Sequence, residues 1–271
     1  MNKTILITGA SSGIGKATAK FFQKKNWNVI ATMRAPEKEK ELTKLGSVMV
    51  IRLDVLDSTS IQSAVNIGIA KFGKIDVLVN NAGYGGFGPL EAWDMNGIRQ
   101  QFDTNVIGLL AVTKSVLAHM RANKSGFIVN ISSNGGKMAL PLGTLYNGTK
   151  FAVEGLSEAL HYELGDIGIK VKIVEPGAIL TDFDGRSLDF RNDESLTEYQ
   201  TIVRKFIATF KSVMSKGSPA TVVAEVIYEA VTDGTSQLRY TAGEDARKYV
   251  ANRQTLDDET FFDGMKAYFG L

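Results

Sequence analysis

A tyrosine and a lysine stand four positions apart in Tyr146-Asn147-Gly148-Thr149-Lys150, a spacing that puts both side chains on one face of a helix. A free phenol titrates near 10, too high for efficient proton exchange at neutral pH. Bringing it near 7 takes about 3 pKa units, or roughly 4 kcal/mol. An adjacent ammonium works in that direction by favouring the phenolate, so the pair is a candidate acid/base unit. By itself the spacing is a weak signal, because the chain carries eight tyrosines.

A second chemical feature lies near the N-terminus. Thr8-Gly9-Ala10-Ser11-Ser12-Gly13-Ile14-Gly15 follows the apolar run Thr4-Ile5-Leu6-Ile7 and opens a segment of helical length. Glycines at such a turn let backbone N–H groups approach a pyrophosphate. The helix that follows offers unpaired N–H groups and the positive end of its dipole to the same anion. A nucleoside-triphosphate P-loop is excluded: its first glycine is replaced by Ala10, and Ala17 stands where Ser or Thr would hold magnesium.

These residues need a scaffold, and the hydrophobic pattern supplies one. Runs at Thr4–Ile7, Trp27–Ala31, Val48–Ile51, Ile75–Val79, Phe127–Ile131 and Val171–Val174 are short and apolar without strict alternation, as strands buried on both faces are. Segments of helical length lie between them at 14–25, 58–72, 95–122 and 147–165. This alternation predicts an α/β fold, a doubly wound, mostly parallel sheet with helices on both faces, in a single domain over 1–271. After Pro176 the pattern predicts a substrate lid over 182–217 with a helix around Glu198–Ser212. Next come a helix start with Pro219 in its first turn, an edge strand at Gln237–Thr241, and a helical segment over 244–271.

Composition narrows the function. A net charge of +2, from 31 basic and 29 acidic residues, shows no footprint of nucleic-acid binding. Without cysteine there is neither a thiolate nucleophile nor a Cys-ligated zinc. The two histidines, His119 and His161, lack the spacing of paired ligands and read as packing or surface residues, so no metal is expected. No apolar stretch approaches the length of a bilayer span. The N-terminal apolar run is too short for a signal peptide, so a cytoplasmic location is expected.

The glycine turn resembles the TGxxxGxG motif of the short-chain dehydrogenase/reductase family. Further motifs agree in order: Asn80-Asn81-Ala82-Gly83, Asn105-Val106-Ile107-Gly108, Ile131-Ser132-Ser133, the Tyr146–Lys150 pair, and Pro176-Gly177 with Thr181. The resemblance spans residues 4–181, and the segment from Val222 to Gly243 is similar to the 17β-hydroxysteroid dehydrogenase-like group. It implies an oxidoreductase that interconverts a secondary alcohol and a ketone or aldehyde by hydride transfer. Tyr146 would be the general acid/base, and Lys150 would lower its pKa and bind the nicotinamide ribose. Ser133, 13 residues before Tyr146, would bond the reacting oxygen, with Ser132 structural. Asn105 would hold a water in a proton relay to Lys150. The resemblance also implies that Gly9, Ser11, Ser12, Gly13, Ile14, Gly15, Asn81, Ala82, Gly83, Pro176, Gly177 and Thr181 bind the coenzyme, with Asp54 and Val55 at its adenine ring. It implies a dimer or tetramer built through the long helices.

The coenzyme choice rests on the end of the second strand, Ala31-Thr32-Met33-Arg34. An NAD site usually carries an acid there to bond the ribose 2′-OH. Met33 takes that place, and Arg34 can form charge-assisted bonds to a 2′-phosphate, with Ser12 adding a hydroxyl. NADP(H) is therefore the expected coenzyme and NAD(H) the alternative. On the substrate side, Tyr84-Gly85-Gly86-Phe87-Gly88 is a candidate mouth. Phe183, Leu188, Phe190, Tyr199, Phe206 and Phe210 could wrap an apolar alcohol or ketone or form the core side of a helix. A non-catalytic NAD(P)-sensing regulator on the same fold is the competing function. A sensor has no chemical use for Asn105, Ser133, Tyr146 and Lys150 together.

Overall fold

The computed structural model describes residues 2–181 and 185–271. In chain order the elements begin β1 (Thr4–Ile7), α1 (Gly13–Lys24), β2 (Asn28–Met33), β3 (Val48–Arg52), α2 (Ser58–Phe72), β4 (Val77–Asn80) and β5 (Gly85–Phe87). Next come α3 (Met95–Phe102), α4 (Gly108–Ala122), β6 (Gly126–Ile131), α5 (Thr144–Gly165), β7 (Ile169–Pro176), β8 (Ile179–Leu180) and β9 (Leu188–Phe190). The remainder are α6 (Gln200–Met214), β10 (Ser218–Pro219), α7 (Ala220–Thr232), β11 (Arg239–Ala242), α8 (Glu244–Thr255) and α9 (Asp258–Phe269).

Seven strands form one parallel sheet in the order β3-β2-β1-β4-β6-β7-β11. The order reverses between β1 and β4, and ligands of such sheets bind in the crevice at that switch point. The inner strands are buried on both faces because their alternate residues feed two different cores. Ile5, Ile7, Val29, Ala31, Val77, Val79 and Val129 pack with Phe22 of α1 and with Val223 and Ile227 of α7. Leu6, Ile30, Leu78 and Ile128 pack with Ala64 and Val65 of α2 and with Val112 and Val116 of α4 on the other side. A third cluster, Phe87, Met138, Phe206, Phe261, Met265 and Phe269, lies outside both. The doubly wound single-domain expectation therefore holds.

Local signals set the helix ends. Asp57 caps α2 by accepting from the N–H groups of Thr59 and Ser60, and Asp94 caps α3 through Gly97. Several boundaries differ from the sequence pattern. Trp27 precedes β2, which runs on to Met33, and α5 starts at Thr144, putting Tyr146 in its first turn. The expected helix 95–122 is broken by a π-helical turn over Asp103–Ile107. Pro219 does not enter the helical first turn: Ser218 and Pro219 pair with Ile179 and Leu180, and α7 begins after them. Of the expected lid, Asp182, Phe183 and Asp184 lie outside the described residues. The remainder is tied to the body, because β9 pairs in parallel with β5. Among the described residues no helix is long and apolar enough to cross a membrane.

Candidate active site

The turn after β1 is shaped by close approach. A Cβ on Gly15 would overlap the Gly9 carbonyl oxygen, and Gly9 itself sits at φ +67°, a region that favours glycine. The turn is stitched to the Asn80–Gly83 segment. The N–H groups of Asn81 and Ala82 donate to Thr8 Oγ1 at 2.9 and 3.0 Å, and Asn81 Nδ2 donates to the Thr8 carbonyl at 2.9 Å. Thr8 is thus a clamp that the motif reading did not nominate. Ser12, extended at the N-cap of α1, does not cap it with its side chain, and no acid lies in the first turn. That end of the helix is left to an anion, so the residues present fit a dinucleotide pyrophosphate.

A cavity of about 690 Å³ runs from this cradle across the C-terminal ends of the strands. Every residue nominated for coenzyme or catalysis lines it, apart from Gly15 and Asn105. At one end Met33, Arg34 and Ala35 share the wall with Asp54 and Val55. Lys38, not nominated from the sequence, brings a second cation to that wall. Lys16, the lysine of the glycine turn, is committed elsewhere, 3.2 Å from Glu39 and 2.8 Å from Glu41.

At the middle of the cavity Tyr146 and Ser133 share a hydrogen bond. Ser133 Oγ also accepts from the Gly135 N–H at 3.0 Å and donates to Asn134 Oδ1 at 3.1 Å. Ser132, one residue back, is buried with its hydroxyl unpaired in the fold. Asn147, beside the tyrosine, was missed. Its Nδ2 donates to the Gly135 and Met138 carbonyls and its Oδ1 accepts from Leu140 N–H, fixing the loop that carries Ser133. Lys150 Nζ donates to the Ile131 carbonyl at 2.9 Å and lies 5.7 Å from the centre of the Tyr146 ring.

Burial pushes the Tyr146 phenol above its ordinary value, with the Ser133 bond opposing. Burial also weakens the cation one turn away, holding Lys150 down to about 8 against the opposing charge of Glu154. The Asn105 amide ties the π turn to the Tyr84 loop: Nδ2 donates to the Tyr84 carbonyl at 2.9 Å and to Thr149 Oγ1 at 3.1 Å, while Oδ1 accepts from Tyr84 N–H at 3.0 Å. A Cβ on Gly83 would press on the same Oδ1 at 2.9 Å.

The far end of the cavity is mostly apolar: Tyr84, Phe87, Met138, Leu140, Phe210, Val213 and Met214 line it together with Tyr249, Met265, Tyr268 and Phe269 from α8 and α9, while Ser187 and Asp189 beside β5 add polar groups. Among the described lid aromatics only Phe210 reaches the cavity. Phe206 is buried in a stack with Phe87, Phe210 and Phe269 at centroid distances of 5.6, 5.3 and 5.7 Å. Leu188 and Phe190 pack against the same cluster, and Tyr199 meets Glu91 at the surface. The C-terminal wall was missed, although Phe261, Met265 and Phe269 recur at the four-residue spacing of one helix face. His119 is a packing residue whose Nε2 accepts from Ile75 N–H at 3.2 Å.

Comparison with known proteins gives this architecture relatives. The 3-ketodihydrosphingosine reductase of Bacteroides thetaiotaomicron is 42% identical over 193 residues, covering 71% of this chain and 68% of its own. ElxO, solved with NADP bound, is 31% identical with a TM-score of 0.75, over 92% of this chain and 100% of that one. A short chain dehydrogenase/reductase of Burkholderia phymatum, solved with NAD, is 25% identical with a TM-score of 0.80, over 93% of each chain. The family model described as short chain dehydrogenase matches residues 3–192. With the switch-point cavity, the glycine cradle and that match together, the chain belongs to the short-chain dehydrogenases and is an oxidoreductase of that family.

Proposed function

We propose that this protein interconverts a carbonyl and a secondary alcohol with NADP(H), with Tyr146 as the proton-exchanging group. The observation that carries the reading is the meeting of Tyr146, Ser133 and Lys150 in one cavity between the glycine cradle and the apolar chamber. The dinucleotide, when bound, supplies or takes up the hydride. Gly9, Ser11, Ser12, Gly13 and Ile14 would hold its pyrophosphate, Asp54 and Val55 its adenine end, and Lys150 its nicotinamide ribose. Gly15 keeps the turn tight enough for that approach. Asn81, Ala82, Gly83, Pro176, Gly177 and Thr181 complete the wall.

The Tyr146 phenol, raised by burial, would donate to a carbonyl oxygen as that oxygen gains negative charge. Ser133 Oγ, hydrogen-bonded to it, would orient the same oxygen. Arg34 and Lys38, with no acid at the Met33 position, support a 2′-phosphate over a bare ribose. The aromatic wall supports a lipophilic substrate, and the name of the Bacteroides relative, 3-ketodihydrosphingosine reductase, likewise carries a ketone. In this reading residues 185–217 and the C-terminal helices form the substrate lid. Exposed Ile107, Phe151 and Tyr162, the last 82% exposed, support a homo-oligomer through the α4 and α5 faces.

The test is NADPH and NADH oxidation against a panel of ketones, aldehydes and apolar carbonyls, on wild type and on Tyr146→Phe. Turnover faster with NADPH and lost in the variant is expected. Tight NADPH binding with no turnover on any carbonyl would replace the reading with a coenzyme-sensing role.

A further inference from the structure

Beyond the catalytic lysine the helix continues the same stripe. Tyr146, Lys150, Glu154 and Glu158 follow at four-residue steps along α5. Glu154 is only 5% exposed, and Glu175, across from it on β7, only 1%. One N–H serves both carboxylates: Arg239 Nε lies 2.8 Å from Glu154 Oε2 and 3.5 Å from Glu175 Oε1. Arg239 Nη2 is taken by the exposed Glu158. Only the Glu154 contact is a hydrogen bond. Among the described residues Glu154 Oε1, Glu175 Oε1 and Ser132 Oγ have no hydrogen-bond partner, and all three are buried. Ser132 Oγ and the Glu154 side chain meet at Gly136, whose added Cβ would lie 2.6 Å from Ser132 Oγ and 3.1 Å from Glu154 Cγ.

Two buried carboxylates that compete for one guanidinium N–H cannot both ionise cheaply. The other charges facing Glu175 are few: Lys137 from the loop after β6 and Arg239 from β11 attract it, and Glu154 repels it. Burial together with that repulsion lifts Glu175 to about 7. On its other side, Glu154 is the charge that opposes the depression of Lys150.

We propose that Glu175, beside the Arg239-bound Glu154, keeps its proton up to neutral pH, and that the charge of the two carboxyls sets how firmly Lys150 keeps its own proton. Both are positioning residues, acting on the coenzyme side of the site through the lysine. When the Glu175 proton leaves on the alkaline side, the pair gains a second negative charge and the ammonium is held to higher pH. This rests on reading Lys150 as part of the redox site.

The test needs no turnover. Infrared difference spectra of the ligand-free protein, titrated across neutrality, should show one buried carboxylic acid C=O band bleaching near pH 7. Glu175→Gln should lack that band. Nitrogen NMR of labelled lysines, assigned with Lys150→Met, should place the amine midpoint near 8 in the wild type. Glu154→Gln should lower it by about half a pH unit or more, roughly threefold in the protonation constant, and Glu154→Asp should restore part of it. Absence of the band, its survival in Glu175→Gln, or an unmoved lysine midpoint in Glu154→Gln would each overturn the proposal. If Glu154→Gln does not fold, the infrared arm on wild type and Glu175→Gln still decides. A protein that shows the band and the shift yet reduces no carbonyl keeps the pair and loses the functional reading.

Discussion

The two ends of the cavity are built by different means. The coenzyme end is main chain and short polar side chains at strand ends, with Thr8, Asn81 and Ala82 exchanging hydrogen bonds across 73 and 74 positions of sequence. The substrate end is rings and thioethers from α6, α8, α9 and the strand β5, stacked on Phe206. Directional bonds at the first end tolerate little change, whereas dispersion contacts at the second accept other side chains of similar volume. Chemistry and substrate choice should therefore be separable by mutation.

The largest effect tests the boundary between the two ends. Tyr146→Phe keeps the ring that packs 5.2 Å from Phe87 and removes only the hydroxyl. Turnover should fall by about 10²- to 10⁴-fold, the usual worth of general acid catalysis. Thermal melting and coenzyme affinity should stay near wild type. A variant retaining a tenth of its kcat would remove Tyr146 from the chemistry.

At the coenzyme end, Arg34→Ala should reduce the NADPH over NADH preference in kcat/KM by about tenfold to a hundredfold. That is the range for a charge-assisted bond of roughly 1.5–3 kcal/mol. Adding Met33→Asp should carry the preference to NADH. If Arg34→Ala leaves the ratio unchanged while Lys38→Ala collapses it, the phosphate is read by the lysine that sequence reasoning overlooked.

At the substrate end, Phe210→Ala should cost a bulky apolar ketone about tenfold or more in kcat/KM. Fully burying such a ring is worth roughly 1.5–3 kcal/mol. A three-carbon ketone should be little affected. Equal losses on both substrates would mean the chamber shapes the catalytic groups and not the substrate's tail.

The same contrast explains what could be read from the residues alone. The glycine turn, the Asn81–Gly83 segment and the Tyr146–Lys150 pair are contiguous, because backbone at a strand end must make the contacts. The apolar wall is assembled from residues 87, 210, 249, 265 and 269, and only folding brings them together. Phe261, Met265 and Phe269 announce an apolar helix face but not what it faces. The π turn at Asp103–Ile107 follows from Asn105 reaching Tyr84, a tertiary bond that a helical period conceals. Spacing reveals the ammonium beside Tyr146 and says nothing of the burial that raises its phenol.

The mildest effect on turnover lies behind the coenzyme wall and has no counterpart in the apolar chamber. Glu175 titrates near 7 in the fold and near 4.5 when free, so between those values the folded state binds more protons than the unfolded one. Stability must then fall as pH rises from 4.5 to 7, by up to about 3 kcal/mol from this group, and stay level above. Below 4.5 both states are protonated and the contribution is fully present. Glu175→Gln removes the titrating group, so urea midpoints of variant and wild type should lie close together at pH 4.5 and separate as pH rises to 7, with the variant more stable. A separation that is constant across this range would show that Glu175 is ionised throughout, and with it that Arg239 serves both carboxylates at once.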